Sequence, residues 1–348
     1  MRRFSIVNIT NPIWTDLVAK SKQYDFCHTR SYHQLDKGGT PLLFVIWDNA
    51  CFLAMPLILR TIAGTNLKDC TSAYGYCGPL SNCEFRDLPK EMFVQFRCEL
   101  QQFFRRENII TVFSRLHPII MADEVFTGFG IIRRVNKTVA IDLTLPVAEQ
   151  KRRYRKSNKS EINQMRKEKK FVIKEATSED EIRDFVNIYH DTMKRVNASR
   201  GYFFEYDYIY NLLNNSCFKS KLLLAMTEGR AVAGAVFTIA GRIMQYHLAG
   251  TADEYIREGP MKLIIDEARM IGNAIGLEYL HLGGSVGDKD DDSLFLFKSG
   301  FSDIRFQSRV WQYIVDEEKY RDLNTLFKGS SDQSSNYFPI YRSRVTTI

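Results

Sequence analysis

The stretch "LEYLHLGGSVGDKDDDSLFLFKSGF", residues 277–301, decides the fold of this chain. Its first eight residues read as a β-strand that ends on a double glycine. An acidic tract follows, then a short run in which Phe295, Phe297 and Phe301 surround one lysine, Lys298. Read as a helix, that run has two outcomes. Its phenylalanines are core and Lys298 points to water, or Lys298 is held among apolar groups. The lead-in of Gly283 and Gly284 favours the second.

Outward from that stretch the pattern is clear. "KFVIKEA" (170–176) is rich in β-branched residues and reads as a strand. Ser178 and Glu181 form a capping box. Ile182, Phe185, Val186, Tyr189 and Met193 follow at helical spacing. A second short helix covers "EYDYIYNLL" (205–213). Three strands come next, "KLLLAMT" (221–227), "AVAGAVFTIA" (231–240) and "IMQYHLAG" (243–250), turning at Glu228-Gly229-Arg230 and at Gly241-Arg242. A helix starts at Pro260, where proline suits the first turn, and runs to Ile275. "IRFQSRVWQYIV" (304–315) is a long final strand. The order β-α-α-β-β-β-α-β-α-β resembles that of the GNAT acyltransferase fold.

The first half repeats the pattern in weaker form. "NPIWTDLVAKSKQ" (11–23) is a helix, and "PLLFVIW" (41–47) with "ACFLAMPLILR" (50–60) is a hairpin around Asp48-Asn49. "CTSAYGYCG" (70–78) is a short strand. A helix over 88–107 carries Met92, Phe93, Phe96, Leu100 and Phe103 on one side, and strands follow at 109–116 and 133–143. The expected class is α/β with mixed sheets: two tandem GNAT-like domains around a shared cleft. The N-terminal domain spans 1–145 and the C-terminal one 146–315, with 316–348 packing back on the first.

A chain of 348 residues suits two domains, and 45% apolar and 13% aromatic content suits a globular protein. No apolar run reaches 18 residues, and no signal peptide is read at the start. Cys27, Cys51, Cys70, Cys77, Cys83, Cys98 and Cys217 are odd in number and include no C-x-x-C pair, so they read as incidental reduced thiols in a cytoplasmic protein. No His/Cys set has zinc spacing, so no metal is expected. The net charge of +7 is concentrated in "KRRYRKSNKSEINQMRKEKK" (151–170), which has ten Lys/Arg and two Glu. That points to a local anionic partner rather than a generally basic surface.

"YHDTMKRVNASRGYFF" (189–204), "VAGAVFTIAGRIMQYHLAGT" (232–251) and "HLGGSVGDKDDDSLFLFKSGF" (281–301) resemble the second GNAT domain of the FemAB family. "YGYCGPLSN" (74–82), with Tyr74 and Tyr76, resembles the first domain's contribution to the cleft. Family members carry a double GNAT fold and transfer amino acids, usually from aminoacyl-tRNA, onto peptidoglycan precursors or related acceptors. The resemblance implies that Phe297 and Lys298 face the cleft and that Lys298 stabilises the anionic intermediate. Sustained heptads are absent, so this is a compact form without the coiled-coil arm of some members.

Acyl transfer needs positioning, proton removal and oxyanion stabilisation. The splayed strands that would hold the donor are "IMQYHLAG" and "LEYLHLGG". His247 has a suitable intrinsic pKa for a general base, although a lone strand histidine is more often structural. Tyr202 and Tyr246 join Tyr74 and Tyr76 at the expected cleft edges. Asp290 to Asp292 either form a solvated loop or orient an acceptor amine. Arg152, Arg155 and Lys159 either bind acceptor phosphates or a tRNA backbone, or lie on a solvated linker helix whose other face carries Tyr154, Asn158, Ile162 and Met165. "YIREGPMK" (255–262) stands where coenzyme A-using GNAT proteins place a pyrophosphate loop. Arg257 and Gly259 fit that role, but Pro260 removes an N–H and Met261 replaces a small residue, which leans against coenzyme A.

The expected activity is transfer of an acyl or aminoacyl group, from aminoacyl-tRNA by preference, to an amine or hydroxyl of an anionic cell-envelope precursor, a nucleotide- or lipid-linked sugar or peptide. No tightly bound cofactor is expected, with aminoacyl-tRNA or acyl-CoA as co-substrate. A lipid-linked substrate implies peripheral association with the inner membrane face. The alternatives are a coenzyme A- or carrier-dependent N-acyltransferase acting on an amino sugar in surface polysaccharide synthesis, and a non-catalytic RNA-binding protein.

Overall fold

The computed structural model describes residues 2–285, 292–327 and 337–343. In chain order the elements begin with β1 (Arg3–Asn8), α1 (Ile13–Lys20), α2 (Arg30–His33), β2 (Thr40–Asp48), β3 (Cys51–Thr61), β4 (Lys68–Thr71), β5 (Leu80–Ser81), α3 (Lys90–Arg106), β6 (Ile109–Leu116) and β7 (Ile131–Asp142). Then come α4 (Val147–Arg152), α5 (Lys156–Glu168), β8 (Val172–Glu175), α6 (Glu179–Arg195), α7 (Tyr206–Leu213), β9 (Lys219–Thr227), β10 (Arg230–Ala240) and β11 (Ile243–Thr251). The series closes with α8 (Pro260–Ala274), β12 (Tyr279–Gly284), α9 (Ser293–Lys298), β13 (Arg305–Ile314) and α10 (Glu317–Leu326).

The chain forms two compact units. The first comprises residues up to Val135 together with those from Ser308 on, and the second is Asn136–Gln307. In the first the strand order is β1-β2-β3-β4-β6-β13, in the second β8-β9-β10-β11-β12-β7. Each sheet is antiparallel except for one parallel pair between its fourth and fifth strands, β4 with β6 and β11 with β12. The two units thus share one sheet plan, and they exchange final strands. Thr138–Asp142 of β7 pair with β12 in the second unit, and Arg309–Ile314 of β13 pair with β6 in the first. This pairing puts the boundaries at 135 and 307, where the sequence pattern had suggested 145 and 315.

In the first unit Phe96, Leu100 and Phe104 of α3 pack on Phe44, Leu57 and Trp311, while Trp14, Leu17 and Val18 of α1 pack on Leu43, Val45 and Ala54. Neighbouring strand residues face opposite sides, so both faces of β2 are buried. Tyr320, Leu323 and Tyr341 pack on Ile62 and Ile110 of the same unit. Buried Asp69 anchors that tail, accepting from Tyr341 (3.2 Å) and Arg342 (2.8 Å) and pairing with Arg60 (2.8 Å). The core of the second unit gathers Phe237, Met244, Ile264, Ile265, Leu280, Leu282 and Phe301.

Four local differences from the sequence reading have physical causes. β1, unread from the sequence, is an edge strand paired along its length with β2. The strand read over 70–78 covers only Lys68–Thr71, because Gly75 and Gly78 take φ of +109° and +115°. The basic segment is two helices rather than one: Arg155 is extended (ψ 141°) and its N–H donates to the Gly300 carbonyl (2.8 Å). Cys51 and Cys83 form a disulfide, where the sequence had suggested only incidental thiols. Pairing of Leu53 with Ser81 and Ala54 with Leu80 brings the two cysteines together, with Cα atoms 6.2 Å apart.

Candidate functional site

The site grows from the parallel pair in the second unit. β11 and β12 pair over three rungs only, Ile243 with Tyr279, Met244 with Leu280 and Gln245 with His281. Beyond that rung β11 stays with β10 and β12 with β7, so the two strands part. Each parting strand carries an irregularity at this level. The β10–β11 register slips at His247, and the β12–β7 register slips at Leu282. Such bulges re-aim side chains and free backbone groups. The last rung is clamped by its own side chains, His281 Nδ1 lying 2.6 Å from Gln245 Oε1.

Gly283 has φ +76°, a conformation open to glycine, and it turns the next carbonyl. That carbonyl, Gly284 O, accepts from Lys298 Nζ at 2.7 Å. Gly284 has no room for a side chain, since a Cβ would lie 2.9 Å from the Lys137 carbonyl. Asn136 holds the end of β12 through Ser285 Oγ at 2.9 Å. The Lys298 ammonium also lies 5.9 Å from the Tyr246 ring on β11. Lys298 therefore contacts both strands where they part. It is only 7% exposed, and Phe295 beside it is equally buried. Phe297 is half-buried and packs edge-on to Phe301 (5.5 Å). Asp292 caps α9, accepting from the Phe295 N–H at 2.8 Å. Burial lowers the Lys298 pKa to about 8, and the Asp292 charge opposes that fall. A cation held in this setting interacts with developing negative charge far more strongly than one in water. The surface alternative for Lys298 is set aside by its burial.

The other sequence candidates are distributed as follows. Tyr246 faces the core with Phe237 and Lys298, whereas its neighbour His247 lies against Phe204 and within 3.2 Å of Tyr208 Oη. Desolvation lowers the His247 pKa to about 3, so it is neutral at physiological pH and a weak base. Tyr202, in the single turn Arg200–Tyr202, accepts from Tyr189 through its carbonyl. In the first unit, Tyr74 is partly exposed and its carbonyl accepts from Tyr32 Oη at 2.8 Å, while the Tyr76 ring lies 6.3 Å from His117. Asp288–Asp291 lie outside the described residues.

The basic segment meets the Lys298 helix through Arg155, whose guanidinium donates to the Leu296 carbonyl (3.2 Å). Lys159 Nζ lies 3.5 Å from the Arg152 carbonyl, and the exposed Arg152 pairs with Glu149. Tyr154, Asn158, Ile162 and Met165 are buried, as their spacing implied. Gly259 is the left-handed residue before α8 and Arg257 is exposed. This helix start fits a pyrophosphate poorly. Pro260 supplies no N–H, and Glu258 and Glu161 stand close by, paired with Lys170 and Lys262. Among the described residues no group of three or more His, Cys, Asp or Glu side chains is placed to hold a metal ion, and no helix is long and apolar enough to cross a membrane. Gln245, His281 and Asn136 were missed in the sequence. The first two precede Tyr246 and the double glycine, and only the strand register shows that they meet.

The class this fold defines is the GNAT acyltransferase class, and residues 152–292 match the family model described as "Acetyltransferase (GNAT) domain". Among solved structures the chain is similar to FemX, with TM-score 0.72 and 11% identity over 91% of this chain and 99% of that one. It is also similar to L-PGS from Bacillus licheniformis (TM-score 0.58, 12% identity, 89% and 93% covered). A tandem GNAT protein from the clavulanic acid biosynthesis pathway shares the fold as well (TM-score 0.52, 8% identity, 95% and 100% covered). The double GNAT fold implied by the FemAB resemblance is therefore present. None of the curated proteins matches the chain.

Proposed function

We propose that this protein is a FemAB-like transferase that moves an aminoacyl group, from aminoacyl-tRNA by preference, to an amine or hydroxyl on an anionic cell-envelope precursor. The observation that carries this reading is Lys298, buried where β11 and β12 part, with one proton on the Gly284 carbonyl. The acyl carbonyl sits between the parted strands, and the acceptor attacks it. Lys298 then stabilises the oxyanion that forms. Loss of one such donor typically slows the chemical step ~10²–10³-fold. The poor fit of the α8 start to a pyrophosphate supports a donor other than coenzyme A. Arg152, Arg155 and Lys159 contact the acceptor's phosphates, and Arg155 couples that contact to the Lys298 helix. The structural likeness to FemX and to L-PGS supports an envelope acceptor. In this reading the protein works in the cytoplasm, at the inner membrane face when its acceptor is lipid-linked.

The test is a donor comparison. Purified protein is mixed with an envelope-precursor extract and either labelled total aminoacyl-tRNA or labelled acetyl-CoA, with Lys298→Met alongside. Label passing from tRNA to the extract, and lost in Lys298→Met, is the expected result. Transfer from acetyl-CoA alone would replace this reading with that of a coenzyme A-dependent N-acyltransferase. Salt-sensitive RNA binding without transfer would point to the RNA-binding alternative.

A further inference from the structure

The first unit buries a set of reactive side chains that the transfer reaction does not use. Cys27 sits on the single turn Phe26–His28, which is fixed at its start. Asp25 accepts from the Phe26 N–H (2.7 Å), and the Asp25 N–H donates to His28 Nδ1 (3.0 Å). Cys77 lies in the loop after β4 and is tied to β6, its N–H donating to the Arg115 carbonyl at 2.8 Å. Both cysteines are fully buried and neither is in a disulfide. The Cys77 thiol donates to the Cys27 carbonyl (3.2 Å), and the two thiol groups are close enough to perturb each other. Cys27 Sγ donates to the Tyr74 carbonyl (3.6 Å).

Imidazoles surround the pair. His33 Nε2 lies 3.0 Å from the Cys27 carbonyl, which can only accept, so Nε2 carries the proton. The Cys77 thiol lies on the same carbonyl as the His33 Nε2–H, and the buried Nδ1 of His33 has no hydrogen-bond partner. His117 pairs with Asp25 at 3.2 Å. The half-buried loop over Tyr74–Tyr76 packs directly on Cys27: Gly75 has φ +109°, and a Cβ there would lie 2.5 Å from Cys27 Sγ.

We propose that Cys27 and Cys77 are an oxidisable dithiol, a modification site at which a small peroxide converts the pair to an internal disulfide and loosens the Tyr74–Cys77 loop. Cys77 sulfur attacks one peroxide oxygen. The O–O bond breaks, the departing hydroxide takes the Cys77 proton and leaves as water, and Cys77 becomes a sulfenic acid. Cys27 sulfur then attacks Cys77 sulfur, the S–O bond breaks, and a second water leaves with the Cys27 proton. Two thiols and one hydrogen peroxide yield one disulfide and two waters. Once Cys27 has lost its S–H, Tyr74 keeps only Tyr32 of those two donors. The roles are unequal. Burial pushes both thiols up, but Cys27 and the nearby imidazoles hold Cys77 below the ordinary thiol value, while Cys27 stays well above it. Cys77 is thus the attacking sulfur and Cys27 the resolving one.

The test uses the full chain and hydrogen peroxide at neutral pH. After quenching, unfolding and alkylation, non-reduced peptides are mapped, and amide exchange is measured over 72–78. The expected product links the Cys27 and Cys77 peptides with loss of two hydrogens, leaves Cys51–Cys83 in place, and forms roughly tenfold faster than oxidation of the exposed Cys98. Amide exchange over 72–78 rises with it. In Cys27→Ser, a dimedone adduct accumulates on Cys77. Full alkylation of both Cys27 and Cys77 after Cys98 has oxidised would overturn the proposal, as would a crosslink joining Cys77 to any other cysteine. The mapping needs no variant and no transfer assay, so its outcome is independent of the donor and acceptor.

Discussion

Lys298→Met separates the two states of the lysine in a way that thermodynamics can read. The pKa of Lys298 falls from the ordinary 10.5 to about 8 in the fold. Each unit corresponds to about 1.4 kcal/mol, so the ammonium is about 3 kcal/mol worse placed in the folded protein than in the unfolded chain. Below pH 8 both states hold the proton and this penalty is fully present. Between about pH 8 and 10.5 the unfolded chain holds the proton and the folded protein sheds it, so stability rises with pH. Above 10.5 the penalty is gone. Methionine has similar length and does not titrate. The difference in unfolding free energy, wild type minus Lys298→Met, should be flat from pH 6 to 7.5. It should then climb in favour of wild type by up to about 1.4 kcal/mol per pH unit, measured by urea unfolding at half-unit steps to pH 10. Groups that titrate in both proteins cancel. A difference that stays flat to pH 10 would mean that Lys298 is solvated, and the electrostatic argument for its role would fail with it.

Three further perturbations test the surroundings. Gly284→Ala places a Cβ 2.9 Å from the Lys137 carbonyl, so it should cost about 1–3 kcal/mol in a thermal melt and slow transfer by moving the acceptor of the Lys298 proton. Asp266, 2% exposed, accepts from Arg269 (3.0 Å), Arg166 (3.0 Å) and Tyr154 (3.2 Å); Asp266→Ala leaves a buried guanidinium without its carboxylate and should cost about 3–5 kcal/mol in urea unfolding. The Cys51–Cys83 bond spans 32 residues, so the doubly substituted Cys51→Ser, Cys83→Ser chain should unfold about 3–4 kcal/mol more easily than wild type, and added reductant should narrow that gap.

The parts legible in the sequence were those whose signal is local. Ser178 and Glu181 lie three residues apart, and their capping box forms. The turn at Glu228-Gly229 has positive φ at both positions. Lys298 was legible because a strand ending on two glycines and a lysine among phenylalanines stand close together in sequence, and the Lys298 bond to Gly284 spans only that short interval. What escaped depended on register or on distant partners. Cys51 meets Cys83 only through the β3–β5 pairing, and Gln245 meets His281 only because a parallel rung aligns them. The break at Arg155 is set by a carbonyl at Gly300, far along the chain. β7 and β13 are both long strands of similar character, and nothing in their periodicity says which sheet each one completes.

That exchange of final strands bears on how the protein is made. Synthesis runs from the N-terminus, and the first unit's sheet remains one strand short until Arg309–Ile314 have been added. Until then β6 offers an open edge on the nascent chain, a template for pairing with other chains. The second unit has no such delay, since β7 is already made when β12 emerges. The later half of this polypeptide can therefore close its sheet before the earlier half, reversing the usual N-terminal-first order on the ribosome. A chain ending just before residue 309 would carry every strand of the second sheet and lack the last strand of the first.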